Sequence, residues 1–195
     1  LSHALKTMTL LSQAVVLYRD GRGVPVALED ACPHRKLPLS MGRLKGDHVE
    51  CGYHGLTFDC SGACVKVPGM DSIPPGARVR AYPLFERYGL LWIWMGEPER
   101  ADPSTIHHIP HWDDPAWGCN QGEAIDMACN YLHITDNLLD PSHVSWVHQS
   151  SFGNADYQET EVDTLVAENG ITVSRWMHDL APAPFYEPFL KFKGN

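Results

Sequence analysis

No apolar run in the 195-residue sequence is long enough to cross a bilayer. The longest strongly apolar stretch, Leu90-Leu91-Trp92-Ile93-Trp94-Met95, falls far short of the ~20 residues a spanning helix needs. An excess of positive charge is also missing: 15 Lys and Arg stand against 24 Asp and Glu, a net charge of −9. Nucleic acids and anionic membranes bind basic faces, so neither is an expected partner. Residues 1–11 lack the charged-then-apolar layout of an export signal, and the chain opens on Leu1 rather than Met. The expectation is a cytoplasmic protein whose chain lacks its natural start. Internal repeats and low-complexity tracts are absent as well.

What is there fits a globular chain of one large or two small domains, with 44% apolar and 20% charged residues. Of six cysteines, Cys60, Cys64, Cys119 and Cys129 read as free thiols in a reducing compartment. From about residue 13 to 95, short strands alternate with turns. Ala14–Arg19 runs into the Asp20-Gly21 turn and pairs with Val24–Leu28; His48–Cys51, Leu56–Asp59, Ala63–Val67, Tyr82–Glu86 and Leu90–Trp94 follow. Such spacing suggests a small antiparallel barrel or sandwich. A polar, proline-bearing linker over residues 96–103 then separates it from a second region. That region offers a strand near Gln121–Ala128, a helical pattern from Asn130 to about His148, and a hairpin over Glu161–Ala167 and Ile171–Met177.

Two constellations carry chemistry. The first is Cys32-Pro33-His34, sixteen residues, then Cys51-Gly52-Tyr53-His54. Thiolates and imidazoles in this two-plus-two arrangement fit a Rieske [2Fe–2S] cluster, in which two histidines replace two cysteines on one iron. Each pair supplies one ligand to each iron. Gly52 and Gly55 suit a tight loop whose N–H groups point at sulfur. A structural zinc normally pairs like ligands, Cys with Cys and His with His, whereas here each pair is mixed. With no extra cysteine shortly after either histidine, a loop-bridging disulfide is not expected, which points to a low-potential cluster. Cys-Pro-His-Arg and Leu56-Thr57-Phe58-Asp59 after His54 make roughly residues 14–97 resemble the Rieske domain of bacterial ring-hydroxylating oxygenases.

The second constellation runs from Asn137 to His148: Asn-Leu-Leu-Asp-Pro-Ser-His-Val-Ser-Trp-Val-His. His143 and His148 near a carboxylate suggest a mononuclear iron of the 2-His-1-carboxylate kind, with sites left open for O₂. Residues five apart on an ideal helix point roughly 140° apart, so the two rings would not face one ion. A kink or π-bulge between residues 140 and 148 is therefore predicted, with Pro141 as its cause. The bland alternative is that both histidines are incidental. Asn137 is placed near enough to line the iron pocket. His133 reads as a packing residue, and His107, His108 and His111 as solvated loop histidines. Trp92 and Trp94 are expected to support the barrel from one face. The Cys60/Cys64 pair lacks partners to complete a site.

Together with Arg175-Trp176-Met177 and Pro184-Phe185-Tyr186, both motifs are most similar to the vanillate O-demethylase group. That group includes dicamba monooxygenase and toluenesulfonate methyl-monooxygenase. The resemblance implies an α+β fold: an all-β Rieske domain over residues 1–98, its N-terminal strand missing, then the start of a helix-grip-like catalytic domain over 99–195. It implies that Asp140 is an inter-subunit electron bridge, hydrogen-bonded to a partner's Rieske histidine and to an iron ligand. The third iron ligand would be an aspartate beyond residue 195. It further implies a homotrimer, a flavin/ferredoxin-type reductase as partner, and an aromatic acid as substrate. The activity implied is monooxygenation by O₂ that removes or hydroxylates a methyl group, in aromatic catabolism. A ring cis-dihydroxylating dioxygenase, or a Rieske electron carrier without catalytic iron, are the alternatives.

Overall fold

The computed structural model describes residues 2–119, 122 and 125–189. The chain divides at residues 120/121 into two compact units.

The first unit is all-β. Strands β1 (Lys6–Leu10), β2 (Gln13–Arg19) and β3 (Pro25–Glu29) form one antiparallel sheet, and β4 (Arg43–Lys45), β5 (His48–Glu50), β6 (Thr57–Phe58) and β7 (Cys64–Lys66) a second. A hairpin of β8 (Leu84–Arg87) and β9 (Leu90–Ile93) completes it, turning at Tyr88-Gly89. The middle strand β2 reads Val15-Val16-Leu17-Tyr18 without alternation because both of its faces are covered, and all four residues are buried. Val16 and Tyr18, opposite Leu28 and Val26, point into the main core with Leu39, Val49, Phe58 and Val79. Val15, Leu17 and Ala27 point the other way, onto Tyr82 and the inward side of the β8–β9 hairpin. The Arg19 guanidinium grips the Glu86 carboxylate through two parallel bonds of 3.0 and 2.5 Å, tying β2 to β8.

Trp92 and Trp94 share a face, but not the one expected. Ile93 packs against the Val15, Leu17 and Tyr82 cluster, whereas the two indoles line a cleft, edged also by Ile93, with Phe85 and with Pro103 and Ile106 of the connector. The connector histidines have distinct contacts. His108 Nδ1 lies 3.2 Å from the Tyr88 hydroxyl, and His111 stacks on Trp117 at 4.5 Å. All six cysteines are free. Cys60 sits under Tyr18, whose hydroxyl meets both its sulfur and the Asp47 carbonyl.

The second unit holds helices α1 (Tyr131–Leu139) and α2 (Val144–Val147) and a hairpin of β10 (Asp163–Ala167) and β11 (Gly170–Ser174). Asn130 caps α1 by accepting from the Leu132 N–H. No residue of α1 is buried, and His133 is exposed rather than packed. Of the strand expected near Gln121–Ala128, residues 121, 123 and 124 lie outside the described residues, and 125–128 form no strand. No helix among the described residues is long and apolar enough to cross a membrane.

The β2–β3 turn yields a pH prediction. Asp20 is buried, and burial alone would push its carboxyl up. The Val24 and Arg22 N–H groups and the Arg22 guanidinium outweigh that and hold it below the usual carboxylate range. A depressed folded-state pKa gives stability that is full above the ordinary carboxylate range and is lost as pH falls through it. Asp20→Asn should lower the unfolding midpoint at neutral pH and flatten its decline between about pH 5 and 3. Thermal unfolding across that range checks this, and an unchanged acid limb would contradict it.

Candidate metal centres

The two ligand loops of the first unit have the same backbone frame. The Cys32 N–H donates to the Leu37 carbonyl and the Lys36 N–H to the Cys32 carbonyl, at 2.9 and 2.8 Å. Nineteen residues on (51 less 32), Cys51 N–H donates to the Leu56 carbonyl and Gly55 N–H to the Cys51 carbonyl, at 2.8 and 3.1 Å. Each loop reverses through a left-handed residue at its fifth position, Lys36 at φ +59° and Gly55 at φ +74°.

This frame sorts the candidate ligands by depth. Cys32 and Cys51 are each 2% exposed, while His34 and His54 lie at the surface. The two thiols are within hydrogen-bonding reach, and the two imidazole centroids are 4.6 Å apart. Burial pushes the Cys32 thiol up, and the neighbouring Cys51 thiol adds to this. The backbone N–H groups of His34 and Arg35 point at the Cys32 sulfur and work against the rise. Two adjacent buried sulfurs beneath two surface imidazoles, with amides aimed at sulfur, fit a cluster whose irons divide the ligands Cys₂ and His₂. A single tetrahedral zinc would draw all four groups to one point. Among the described residues, no three His, Cys, Asp or Glu converge that way.

Backbone packing holds the loops together. A Cβ on Gly42 would lie 2.1 Å from the Glu50 carbonyl oxygen, and one on Gly52 2.9 Å from that of Met41. Behind them, the buried Asp30 carboxylate accepts from the Ser40 N–H, the Ser40 hydroxyl and the Thr7 hydroxyl at 2.6–2.8 Å. Asp30 thus ties the start of the first ligand loop to the segment that abuts the second. Sequence reasoning passed over Asp30 and Gly42. The only local signal was a carboxylate two residues before a ligand.

In the second unit the helix is interrupted where the spacing demanded it. α1 stops at Leu139, and Asp140 adopts extended dihedrals of −104° and 91°, as a residue before proline prefers. The chain resumes at α2 after His143. With the break, the His143 and His148 rings approach to 5.4 Å between centroids. A metal bound at about 2.1 Å from nitrogen lies roughly 3 Å from the ring centroid, so two such rings can share one ion. His143 Nδ1 lies 2.5 Å from the Asp140 carbonyl oxygen, which can only accept. The ring proton is thus on Nδ1, and Nε2 is left for a metal. The Asn137 amide nitrogen stands 3.4 Å from that Nε2, and His148 stacks on Phe152 at 4.3 Å. Asp140 is exposed, and the hydroxyl and N–H of Ser142 hold its carboxyl below the usual carboxylate range. Ser142 was not singled out by the sequence, nor was the role of Arg175, whose guanidinium reaches the break from beyond β11.

Known proteins carry both halves of this arrangement. Residues 2–83 match the Rieske [2Fe–2S] domain, and residues 127–195 the vanillate O-demethylase oxygenase C-terminal domain. The iron–sulfur subunit of the toluene-4-sulfonate monooxygenase system of Comamonas testosteroni is 43% identical over 96% of this chain and 54% of its own length. The vanillate O-demethylase oxygenase subunit of Pseudomonas sp. (strain HR199 / DSM 7063) is 37% identical over 95% and 52%. The crystal structure of dicamba monooxygenase bound to 3,6-dichlorosalicylic acid superposes with a TM-score of 0.86 at 36% identity, covering all of this chain and 57% of that one. The chain spans about half the length of the curated relatives it matches. The chain thus joins a Rieske [2Fe–2S] domain to a vanillate O-demethylase oxygenase C-terminal domain, in an α+β fold similar to that of dicamba monooxygenase.

Proposed function

We propose that this chain is part of the terminal component of a Rieske oxygenase that monooxygenates an aromatic acid such as vanillate, removing an O-methyl group or hydroxylating a methyl group. The observation that carries this reading is the joint presence of two sites: a Cys₂His₂ loop pair, and a helix broken so that His143 and His148 face each other. A Rieske electron carrier needs only the first. In this reading residues 1–98 form the Rieske domain and 99–195 the N-terminal part of the catalytic domain.

Cys32, His34, Cys51 and His54 would hold the [2Fe–2S] cluster. His143 and His148 would hold a mononuclear Fe(II), completed by a carboxylate outside this sequence. Bound there, the two groups supply single electrons and O₂ activation, and a hydroxylated methoxy carbon then falls apart to a phenol and formaldehyde. The protein's own part is positional. The surface edges of His34 and His54 leave the cluster side open to a partner, while the cysteines stay dry. Asp140, exposed beside His143, would bridge to a Rieske histidine of a neighbouring subunit, for which His54 is favoured; its closeness to His143 supports this. Such a bridge requires a closed ring of subunits, and a homotrimer satisfies it. A separate flavin/ferredoxin-type reductase would supply electrons from NAD(P)H in the cytoplasm. Relatives that act on vanillate and dicamba support an aromatic substrate.

Two measurements test this. Iron analysis of the full-length protein should find about three irons per chain, falling to about two in His143→Ala with the cluster absorption unchanged. Two in the native protein would favour the carrier. Asp140→Asn should keep both the cluster spectrum and the mononuclear iron while formaldehyde release from methoxylated aromatic acids is abolished. Undiminished turnover would remove the bridging role.

A further inference from the structure

The break between α1 and α2 exposes backbone that no helix satisfies: His143 meets the Asp140 carbonyl, the Asp140 carboxylate accepts from the Ser142 N–H, and a side chain from beyond β11 reaches the Pro141 carbonyl. Arg175 directly follows β11 and is half-buried. Its Nη1 donates to the Pro141 carbonyl at 3.3 Å and to the Ser145 hydroxyl at 3.1 Å, and its Nε donates to the Thr160 carbonyl at 3.1 Å. Pro141 and Ser145 stand two residues before and two residues after His143. One guanidinium nitrogen therefore spans the turn that carries this histidine. Ser145 is fully buried, and lies three residues before His148.

We propose that Arg175 is a positioning residue for the mononuclear iron, fixing the approach of His143 to His148 by tying the Pro141 carbonyl on one side of His143 to the Ser145 hydroxyl on the other. This rests on reading those two histidines as iron ligands. Among the described residues the partners of Arg175 are neutral acceptors, two carbonyls and a hydroxyl. A planar guanidinium presents donors in fixed directions, whereas an ammonium is a single point charge on a flexible stem. Lysine would keep the charge and lose the clamp. The break itself does not depend on Arg175, because Pro141 imposes it. What Arg175 adds is the width of the gap, and hence the distance between the two rings.

The test uses the full-length protein as wild type, Arg175→Lys, Arg175→Gln, Ser145→Ala and His143→Ala. Three quantities are read: the iron retained beyond the cluster against graded chelator, the cluster absorption, and Tm. We expect both Arg175 variants to bind the mononuclear iron about ten- to a hundredfold more weakly, the range found when groups supporting a metal ligand are lost. Ser145→Ala should weaken it less, in the same direction. Cluster absorption stays at the wild-type value throughout. Should Arg175→Gln fail to fold, Arg175→Lys and Ser145→Ala carry the test. Wild-type iron retention in Arg175→Lys and Ser145→Ala, whatever their Tm, overturns the proposal while His143→Ala still loses the iron. A wild type without the third iron, or a His143→Ala that keeps it, overturns the ligand assignment and the clamp with it.

Discussion

Two sulfur atoms brought together below the surface set the design of the N-terminal unit. The Cys32 thiol, buried beside a second sulfur, resists ionising, because burial disfavours the charge it would carry as a thiolate. The surroundings answer with geometry. Amides of the first ligand loop point at sulfur, and the imidazoles sit on the outer side of the same pair. Holding two loops at that separation leaves no room for side chains where Gly42 and Gly52 pass the opposite backbone. It also places a buried carboxylate, Asp30, behind the loops, accepting from three neutral donors. The barrel core of Val16, Tyr18, Leu28 and Phe58 is the floor on which this rests.

The second unit is organised differently. α1 buries none of its residues, and Tyr131, Leu132 and Leu138 are all more than half exposed. Its local order comes from hydrogen bonds: the Asn130 cap, the Ser142 donors on Asp140, the Arg175 fork, and the Tyr157 hydroxyl on the Ala181 carbonyl. Polar contacts of this kind specify direction better than they supply stability, which suits a segment in which two imidazole rings are turned toward each other.

What the sequence disclosed, and what it withheld, follows from the range of each interaction. Metal ligands must be particular residue types at particular steps, so the thiol–imidazole pairs and the five-residue histidine step were legible, and the step together with Pro141 announced a broken helix. Strand alternation told that Trp92 and Trp94 share a face but not which face, because that depends on what else packs there. β1 reads Lys-Thr-Met-Thr-Leu: its Thr-Met-Thr-Leu alternation is only four residues long and the strand is mostly exposed, so it carries a weaker signal than the apolar run of β2. Asp30 meets Ser40 ten residues on, and Arg175 meets Pro141 thirty-four residues back. Those pairings exist only once the chain has folded.

The shared frame of the two ligand loops has a further meaning. One closes around Cys-Pro-His and the other around Cys-Gly-Tyr-His, with lysine at the left-handed position in one and glycine in the other. Their shape is thus dictated by where the backbone closes on itself, and the side chains are passengers. Each loop is a socket rather than a lock. Replacing the imidazole it carries would retune the electron affinity of whatever it holds, while asking nothing of the barrel beneath.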